Sequence, residues 1–433
     1  MKIAVVGIGY VGLTTGICLA AIGHSVVCID KNLKRINQLQ NNQLPFFEPG
    51  LTEQYQSALK QHNFRVTKDF SDLSEAEAVF ISVGTPTEET GESKLTYLIE
   101  AVRALLPYLK NNTLLIIKST VPPGTSQMIK TLIESSHTKL DIHLVSNPEF
   151  LREGNAIYDF FNPDRIVIGL ESPYAEKKMG EIYASFIENK IPVVVTNTQT
   201  AELIKYASNA FLATKIAYIN EIANVCENIN GDIETLIYGM GLDHRVGNQF
   251  LRPGPGFGGS CFPKDIKALA QFAKTQGSPL KIIEAVIKSN ATRKTTMIQK
   301  IEKECGGSLH GRVIGILGLT FKANTDDVRE SPAIDVISEL LNKNAMVKTY
   351  DPLGMYNAKT ILTSNQITWC KEGYEVAKDA NALVIATEWE EFKALDPKKI
   401  KQLMETPVVL DFRNLLNEQL YKISGLHYQK IGG

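Results

Sequence analysis

Apolar and polar positions along this chain follow two alternating rhythms. "KIAVVGIGYVGLTTGICLAAIGHSVVCID", residues 2–30, predicts a strand, a glycine turn, a helix and a second strand. The helix is expected to stop at Gly23, since glycine suits the position just past a helix end. Short apolar runs follow at 64–67 (FRVT), 78–84 (AVFISVG), 113–120 (TLLIIKST) and 142–147 (IHLVSN), with helical patterns between them. RIVIG (165–169) and IPVVVT (191–196) extend the set. Such strands are apolar on both faces, as in a parallel sheet covered by helices.

From Thr200 the rhythm changes. "TAELIKYASNAFLATKIAYINEIANVCENIN" holds neither Gly nor Pro until its end and is apolar around much of its circumference. It predicts a long, largely buried helix, with more helix to about residue 304 and a Gly/Pro-rich interruption at 252–263. Alternation resumes at Gly311 with "GRVIGILGLTF", "AMVKTYD", "ALVIATEW" and "PVVLDFRN". The expected architecture is therefore α/β, with two doubly wound domains joined by helices.

Composition narrows this picture. A chain of 433 residues is too long for one ordinary core, and two or three domains are expected. With 44% hydrophobic and 21% charged residues and a net charge of −1, nothing favours nucleic acid or an anionic membrane as partner. The six cysteines (18, 28, 226, 261, 305, 370) form no close pairs and no CxxC and have no accompanying His ligands, which argues against a structural zinc site or disulfide framework and suits a reducing cytosol. The amino-terminal apolar run superficially resembles a signal peptide, but its glycines favour a buried strand entering a turn. No run of about 18 apolar residues is present, so no membrane span is expected.

The candidate chemistry begins at Gly7-x-Gly9-x-x-Gly12, between a strand and a helix, with Asp30 ending the next strand. Glycines there allow a tight turn and close backbone approach to a pyrophosphate, and Asp30 can bond an adenosine ribose. An acid at that place repels a 2′-phosphate, which favours NAD over NADP, although Lys31 and Arg35 stand nearby. A second strand-Gly-x-x-Gly-helix-strand-Asp echo occupies 313–351. On spacing alone it reads equally as a packing turn or a nucleotide site. Lys322 and Arg329 beyond it are either phosphate binders or solvated charges. In "VSNPEFLREG" (145–154), Glu149 and Glu153 are either acid–base groups or part of a polar loop. Lys205 and Asn209 share one face of the long helix among apolar neighbours, so Lys205 must either reach solvent or hold a partner.

Cys261 is unlike the other cysteines. "GFGGSCFPKDIKALAQFAK" (256–274) sets it after glycines and just before a predicted helix, with Lys264 close by. A helix amino terminus and a cation both lower a thiol's pKa from about 8.5. Cys18, Cys28 and Cys226 lie within apolar helix or strand and read as fillers.

Taken together, "GIGYVG", "EPGL", "GTP", "KSTVPPGT", "NPEFLREG", "NAFLATKIAYINEIANVCE", "GLDHRVGNQFLRPGPGFGGSCFPKD", "FKANTDDVRESPA" and "DFRN" resemble the UDP-glucose/GDP-mannose dehydrogenase family almost end to end. The resemblance implies two Rossmann-like domains joined by a long central helix and a helical dimerisation region, divided at 1–198, 199–304 and 305–433. It implies four-electron oxidation of a sugar C6 hydroxymethyl to a carboxylate with NAD, UDP-glucose being the expected substrate. GDP-mannose or a UDP-N-acetylhexosamine is the alternative. Cys261 would be the nucleophile, Lys205 with Asn209 would stabilise an oxyanion, Asp265 and Thr120 would place water and base, and Glu149 would be the base of hydrolysis.

For the cofactor the resemblance implies Val11, Asp30, Arg35, Thr85, Thr120, Glu153, Lys264 and Arg329, beside the turn of Gly7, Gly9 and Gly12. For the nucleotide sugar it implies the backbone of Phe150, Leu151, Arg152 and Glu153, with Lys205 and Asn209. Phe250, Leu251, Arg252, Pro253, Gly254 and Gly258 would follow, then Lys322 and Arg413. Arg245 would reach the sugar of a neighbouring subunit, which implies a homodimer. Lys94, Thr96, Phe47 and Arg35 depart from the residues common in relatives, all on the cofactor side. A two-electron dehydrogenase of like architecture would need no cysteine, and a nucleotide-binding module would need none of Lys205, Cys261 and Asp265.

Overall fold

The apolar runs ahead of residue 200 are strands of one sheet in a computed structural model that describes residues 1–88, 90–136 and 140–433. The described chain divides into two units, Met1–Ser208 with Gln271–Gln276, and Asn209–Ala270 with Gly277–Gly433. In the first unit β1 (Lys2–Val6), β2 (Ser25–Ile29), β3 (Phe64–Thr67) and β4 (Ala78–Ile81) open the sheet. Strands β5 (Thr113–Ile117), β6 (Ile142–Ser146), β7 (Ile166–Gly169) and β8 (Val193–Thr196) complete it. Their order is 3-2-1-4-5-6-7-8, and every pairing is parallel except β6 with β7.

Alternate residues of these strands enter two separate cores. Ile3, Val5, Val26, Cys28, Phe80 and Leu114 pack on one face. Ala4, Val6, Val27, Ile29, Val79 and Leu115 pack on the other. A sheet covered on both sides has no face left for polar chemistry. The predicted runs 78–84 and 113–120 stop as strands at Ile81 and Ile117, because beyond them the chain turns into loops tied by side chains. Ser119 Oγ, for example, donates to the Val83 carbonyl at 2.7 Å.

The second unit repeats the plan with β9 (Val313–Leu317), β10 (Met346–Tyr350), β11 (Ile367–Trp369), β12 (Ala382–Ile385), β13 (Val408–Asp411) and β14 (His427–Lys430). All are parallel, in the order 11-10-9-12-13-14. That is the doubly wound order with its switch point between β9 and β12. Ahead of this sheet come the helices Ile233–Gly241 and Lys281–Glu304, with most of Thr198–Ile229 and of Phe262–Thr275.

The echo at 313–351 is structural down to individual bonds. The Gly7 amide donates to the Ile29 carbonyl at 2.8 Å, and the Gly318 amide donates to the Tyr350 carbonyl at 2.9 Å. Asp30 accepts from the Ile8 amide at 2.8 Å, and Asp351 from the Leu319 amide at 2.7 Å. The likeness ends there. Asp351 is 1% exposed and also accepts from the Thr320 amide, the Thr320 hydroxyl and Trp389 Nε1. Its other oxygen takes the amides of Leu353 and Gly354. The second glycine turn thus spends its acid on its own backbone and reads as a packing turn.

Thr198–Ile229 is one unbroken helix, but the expectation that it is largely buried needs correction. Phe211, Tyr218 and Val225 recur every seven residues and are 66%, 48% and 51% exposed. Ile229 continues the stripe, and Tyr238 and Leu242 of the following segment are exposed as well. The helix is apolar around much of its circumference, and this chain covers only part of that surface. Among the described residues no helix is long and apolar enough to cross a membrane, and no His/Cys/Asp/Glu group could hold a metal.

Asp351→Ala should strip several buried amides of their acceptor and destabilise the second unit by at least about 3 kcal/mol. Both tryptophans, Trp369 and Trp389, lie in that unit. Urea unfolding followed by their fluorescence therefore reads the loss, and a midpoint unchanged from wild type would contradict it.

Candidate active site

In the first unit the glycine turn lies at the carboxyl edge of the sheet. Gly7 has φ 93°, and its carbonyl passes so near Gly12 that a Cβ there would stand 1.8 Å from it. Any side chain at Gly12 would break the turn. A Cβ at Gly9 would meet nothing within 4 Å, so this side of the turn is open. The helix Tyr10–Ala21 begins at Gly9 with no side-chain cap and no acid in its first turn, which leaves its leading amides for an anion. Asp30, half-buried, accepts from the amides of Ile8 and Asn32, and Arg35 stands half-buried in the next helix. Thr85 donates to the Thr120 carbonyl at 2.8 Å, which brings two of the expected cofactor residues together. These residues fit a dinucleotide.

Beside that turn, a buried carboxylate organises the loop after β6. Glu48 of the "EPGL" segment accepts from the amides of Gly154 at 2.7 Å and Ala156 at 2.6 Å, and from the Tyr10 hydroxyl. Burial raises the Glu48 carboxyl above its ordinary range against those bonds. Burial, then the charge of Glu48, pushes the Tyr10 phenol up as well. The glycine turn and the 150–156 backbone are thereby joined through one carboxylate. Glu153 on the same loop is buried, while Arg152 is paired with Asp159.

Lys205 does not reach solvent. It is 4% exposed and its ammonium stands 3.0 Å from Glu149 Oε1, a carboxylate that is also 4% exposed. Glu149 Oε2 accepts from the Leu151 amide at 2.6 Å, and the Lys205 ammonium lies 5.3 Å from the centre of the Phe150 ring. Behind them Lys118 donates to Asn147 Oδ1 at 3.0 Å, an oxygen that also accepts from Tyr183 at 2.6 Å. Asn147 is fixed in turn by donating to the Val167 carbonyl. Burial pushes the Lys118 ammonium down to about 8; Glu149 opposes this shift and Lys205 adds to it.

In the second unit Cys261 stands at the start of the helix Phe262–Thr275, and its carbonyl accepts the first intrahelical bond, from the Asp265 amide at 2.8 Å. It is half-buried, whereas the other five cysteines are buried. Burial raises the thiols of Cys18, Cys28, Cys305 and Cys370, in keeping with filler. One turn into the helix, Asp265 is 1% exposed and accepts from Asn209 Nδ2 and Lys264 Nζ, each at 2.6 Å. Ser260 Oγ lies 3.6 Å from Cys261 Sγ.

The segment before Cys261 is pressed against the loops that follow β9 and β13. A Cβ at Gly258 would stand 2.1 Å from the Glu330 carbonyl oxygen, and one at Gly259 would meet the Phe321 ring at 2.9 Å. The Gly259 amide donates to the Arg329 carbonyl. Gly254 lies by Phe412 and Arg413. Arg413 donates to the carbonyls of Ala386 and Phe321 at 2.8 Å, and Lys322 stands over the Phe321 ring. Expected sugar-nucleotide residues thus share one end of this unit. Leu251 and Pro253 are buried and Phe250 is half-buried, but Arg252 is exposed. Arg245 is 79% exposed and folds onto Asp243, and Arg329 is paired with Asp327.

The units therefore supply a dinucleotide turn, a buried ammonium–carboxylate pair and a cysteine at a helix start. Such groups can bind a pyrophosphate, stabilise an oxyanion and add a thiolate to a carbonyl. Glu48, Tyr10, Lys118 and Asn147 were missed as site residues, although "EPGL", "GIGYVG", "KSTVPPGT" and "NPEFLREG" contain them. Their signal was weak, since nothing in one sequence tells a buried lysine from a solvated one.

Residues 1–187 match the model of the UDP-glucose/GDP-mannose dehydrogenase family's NAD binding domain, residues 199–292 its central domain and residues 315–418 its UDP binding domain. The chain is 45% identical over 433 residues to a UDP-glucose 6-dehydrogenase of Rickettsia felis, covering all of this chain and 96% of that one. It is 44% identical to a UDP-glucose 6-dehydrogenase of Rhizobium meliloti, over 100% and 99% of the two chains. A solved UDP-glucose dehydrogenase from the archaeon Pyrobaculum islandicum superposes with a TM-score of 0.91 at 34% identity, covering 100% of this chain and 97% of that one.

Lys118 yields a pH-dependent expectation. Its folded value lies near 8 against an ordinary 10.5, so unfolding takes up a proton between those pH values and stability there rises with pH. Lys118→Met removes that dependence. In urea melts followed by circular dichroism, wild type should gain on the variant between pH 8 and 10.5. A constant gap would contradict the assignment.

Proposed function

The chain belongs to the UDP-glucose/GDP-mannose dehydrogenase family, and from that premise we propose that it oxidises the C6 hydroxymethyl of UDP-glucose to the carboxylate of UDP-glucuronate. The observation that carries this reading is the 45% identity to a UDP-glucose 6-dehydrogenase across the entire chain. In the proposed division, residues 1–198 bind NAD, 199–304 carry the cysteine and the subunit contact, and 305–433 bind the UDP moiety.

NAD⁺, when bound, takes up one hydride from C6 in each of the two oxidations. The protein's part is to handle the carbon between them. In the first oxidation the C6 hydroxyl gives its proton to the water that Asp265 and Thr120 place, and Lys205 with Asn209 steadies the alkoxide. The resulting aldehyde has no hydride to give in that form. The Cys261 thiolate adds to C6, a C–S bond forms, and the tetrahedral oxyanion rests on the same two donors. Loss of the second hydride leaves a thioester. Glu149 takes a proton from water as its oxygen attacks C6, the C–S bond breaks, and Cys261 leaves as thiolate. Asp265 and Thr120 place that water. The Lys205–Glu149 pair suits both duties, since each group needs the other while no substrate is present.

Phe150 to Glu153 contribute backbone to the sugar nucleotide in this reading, the Phe250–Gly254 segment and Gly258 line it, and Lys322 and Arg413 contribute charge. A second copy of the chain covers the Phe211–Tyr218–Val225–Ile229 stripe and lends Arg245 to its partner. Exposed apolar residues at heptad spacing support such pairing.

The decisive measurement is the NADH yield from limiting UDP-glucose. Two equivalents are expected, and one would overturn the cysteine mechanism. Cys261→Ser should lower sustained turnover by at least about 10³-fold while UDP-glucose still binds. Val225→Glu puts a charge into the stripe, and sedimentation should then report a monomer; an unchanged dimer would remove the stripe from the interface.

A further inference from the structure

The segment from Leu251 to Ser260 has neither helix nor strand, yet Pro253 through Gly259 are buried throughout. A buried irregular backbone is costly unless its amides and carbonyls find partners. Here side chains from two helices supply them. Asn220, on Thr198–Ile229, accepts from the Gly254 amide at 2.8 Å. Arg293, on Lys281–Glu304, donates through Nε to the Gly254 carbonyl at 2.8 Å. Three residues along, Asn290 accepts from the Phe257 amide at 2.9 Å and donates to the Phe257 carbonyl at 3.0 Å.

The Arg293 grip is itself held. Arg293 is 4% exposed and also donates to Asn224 Oδ1 at 2.6 Å. Burial pushes its guanidinium down to about 10 against the pull of Glu227. A buried cation is an expensive way to fill space. Gly256 has φ 118°, and a Cβ there would stand 2.8 Å from Asn290 Oδ1, so the backbone is drawn onto the amide as closely as glycine allows.

We infer that Asn290 and Arg293, with Asn220, are positioning residues that hold this segment in the path a UDP-sugar meets and set Cys261 at its end. None of the three is assigned to substrate; they act through Gly254 and Phe257. The inference rests on the function proposed above.

The test is titration calorimetry of UDP-glucose and of NAD with wild type, Asn290→Asp, Asn290→Ala, Arg293→Met and Arg293→Lys. Loss of one clamp should weaken UDP-glucose binding by about tenfold. NAD binding should stay within about twofold, and Arg293→Lys should recover part of what Arg293→Met loses. Amide exchange at Gly254 and Phe257 should quicken in Asn290→Ala. Unchanged UDP-glucose affinity would overturn the inference, and so would a parallel loss of NAD affinity and thermal midpoint, which marks general destabilisation. Wild type that binds no UDP-glucose would overturn the functional reading itself. Should Arg293→Met not fold, Asn290→Asp removes the donor to the Phe257 carbonyl, keeps the acceptor for its amide in a near-isosteric change, and carries the same comparison.

Discussion

A parallel sheet buried on both faces leaves its polar chemistry one place to go, the rim beyond the carboxyl ends of its strands. Both units obey that constraint. In the first, Gly7 follows β1, Thr85 follows β4, Thr120 follows β5 and Glu149 follows β6. In the second, Lys322 follows β9 and Arg413 follows β13. Every expected group outside the helical region is delivered by the same rule, strand after strand. Alternate strand residues are committed to core, so around the two sheets the expected groups fall in the loops and helix starts beyond the strands.

The loops then face a cost of their own, because they carry charges and bare backbone into places with little water. Lys205 answers Glu149, Asp265 answers Asn209 and Lys264, and Glu48 answers two amides and Tyr10. Breaking a buried pair costs more than the pair contributes when intact, because the remaining charge is stranded. These groups are therefore held in place before any substrate arrives. The comparison of Asp30 with Asp351 shows the same economy in reverse. One acid is half-exposed and, among the described residues, accepts only from the amides of Ile8 and Asn32; the other is sealed under Trp389 and serves the fold.

Much of this was legible in the residues. The strands announced themselves as apolar runs, and both glycine turns by spacing. Cys261 stood out because glycines, Pro263 and a helical repeat surrounded it. Other features were not legible. Strand ends at Ile81 and Ile117 depend on where loops are tied, and the exposure of Phe211 and Tyr218 depends on which face neighbouring elements reach. Lys118, Asn290 and Arg293 look like ordinary polar residues until their partners are seen, since their bonds span 29, 33 and 39 positions of sequence.

The amino-acid sequence by itself determined the α/β alternation, the dinucleotide turn with its acid, and the isolated cysteine at a helix start, because each is written in residues close together. Only the tertiary structure decided that Lys205 is paired with Glu149 rather than solvated, and that Asp351 is closed to a ribose. It also decided that the glycine segment before Cys261 is gripped at both ends of Phe257. Burial and long-range hydrogen bonding have no local signature, and these decisions belong to them.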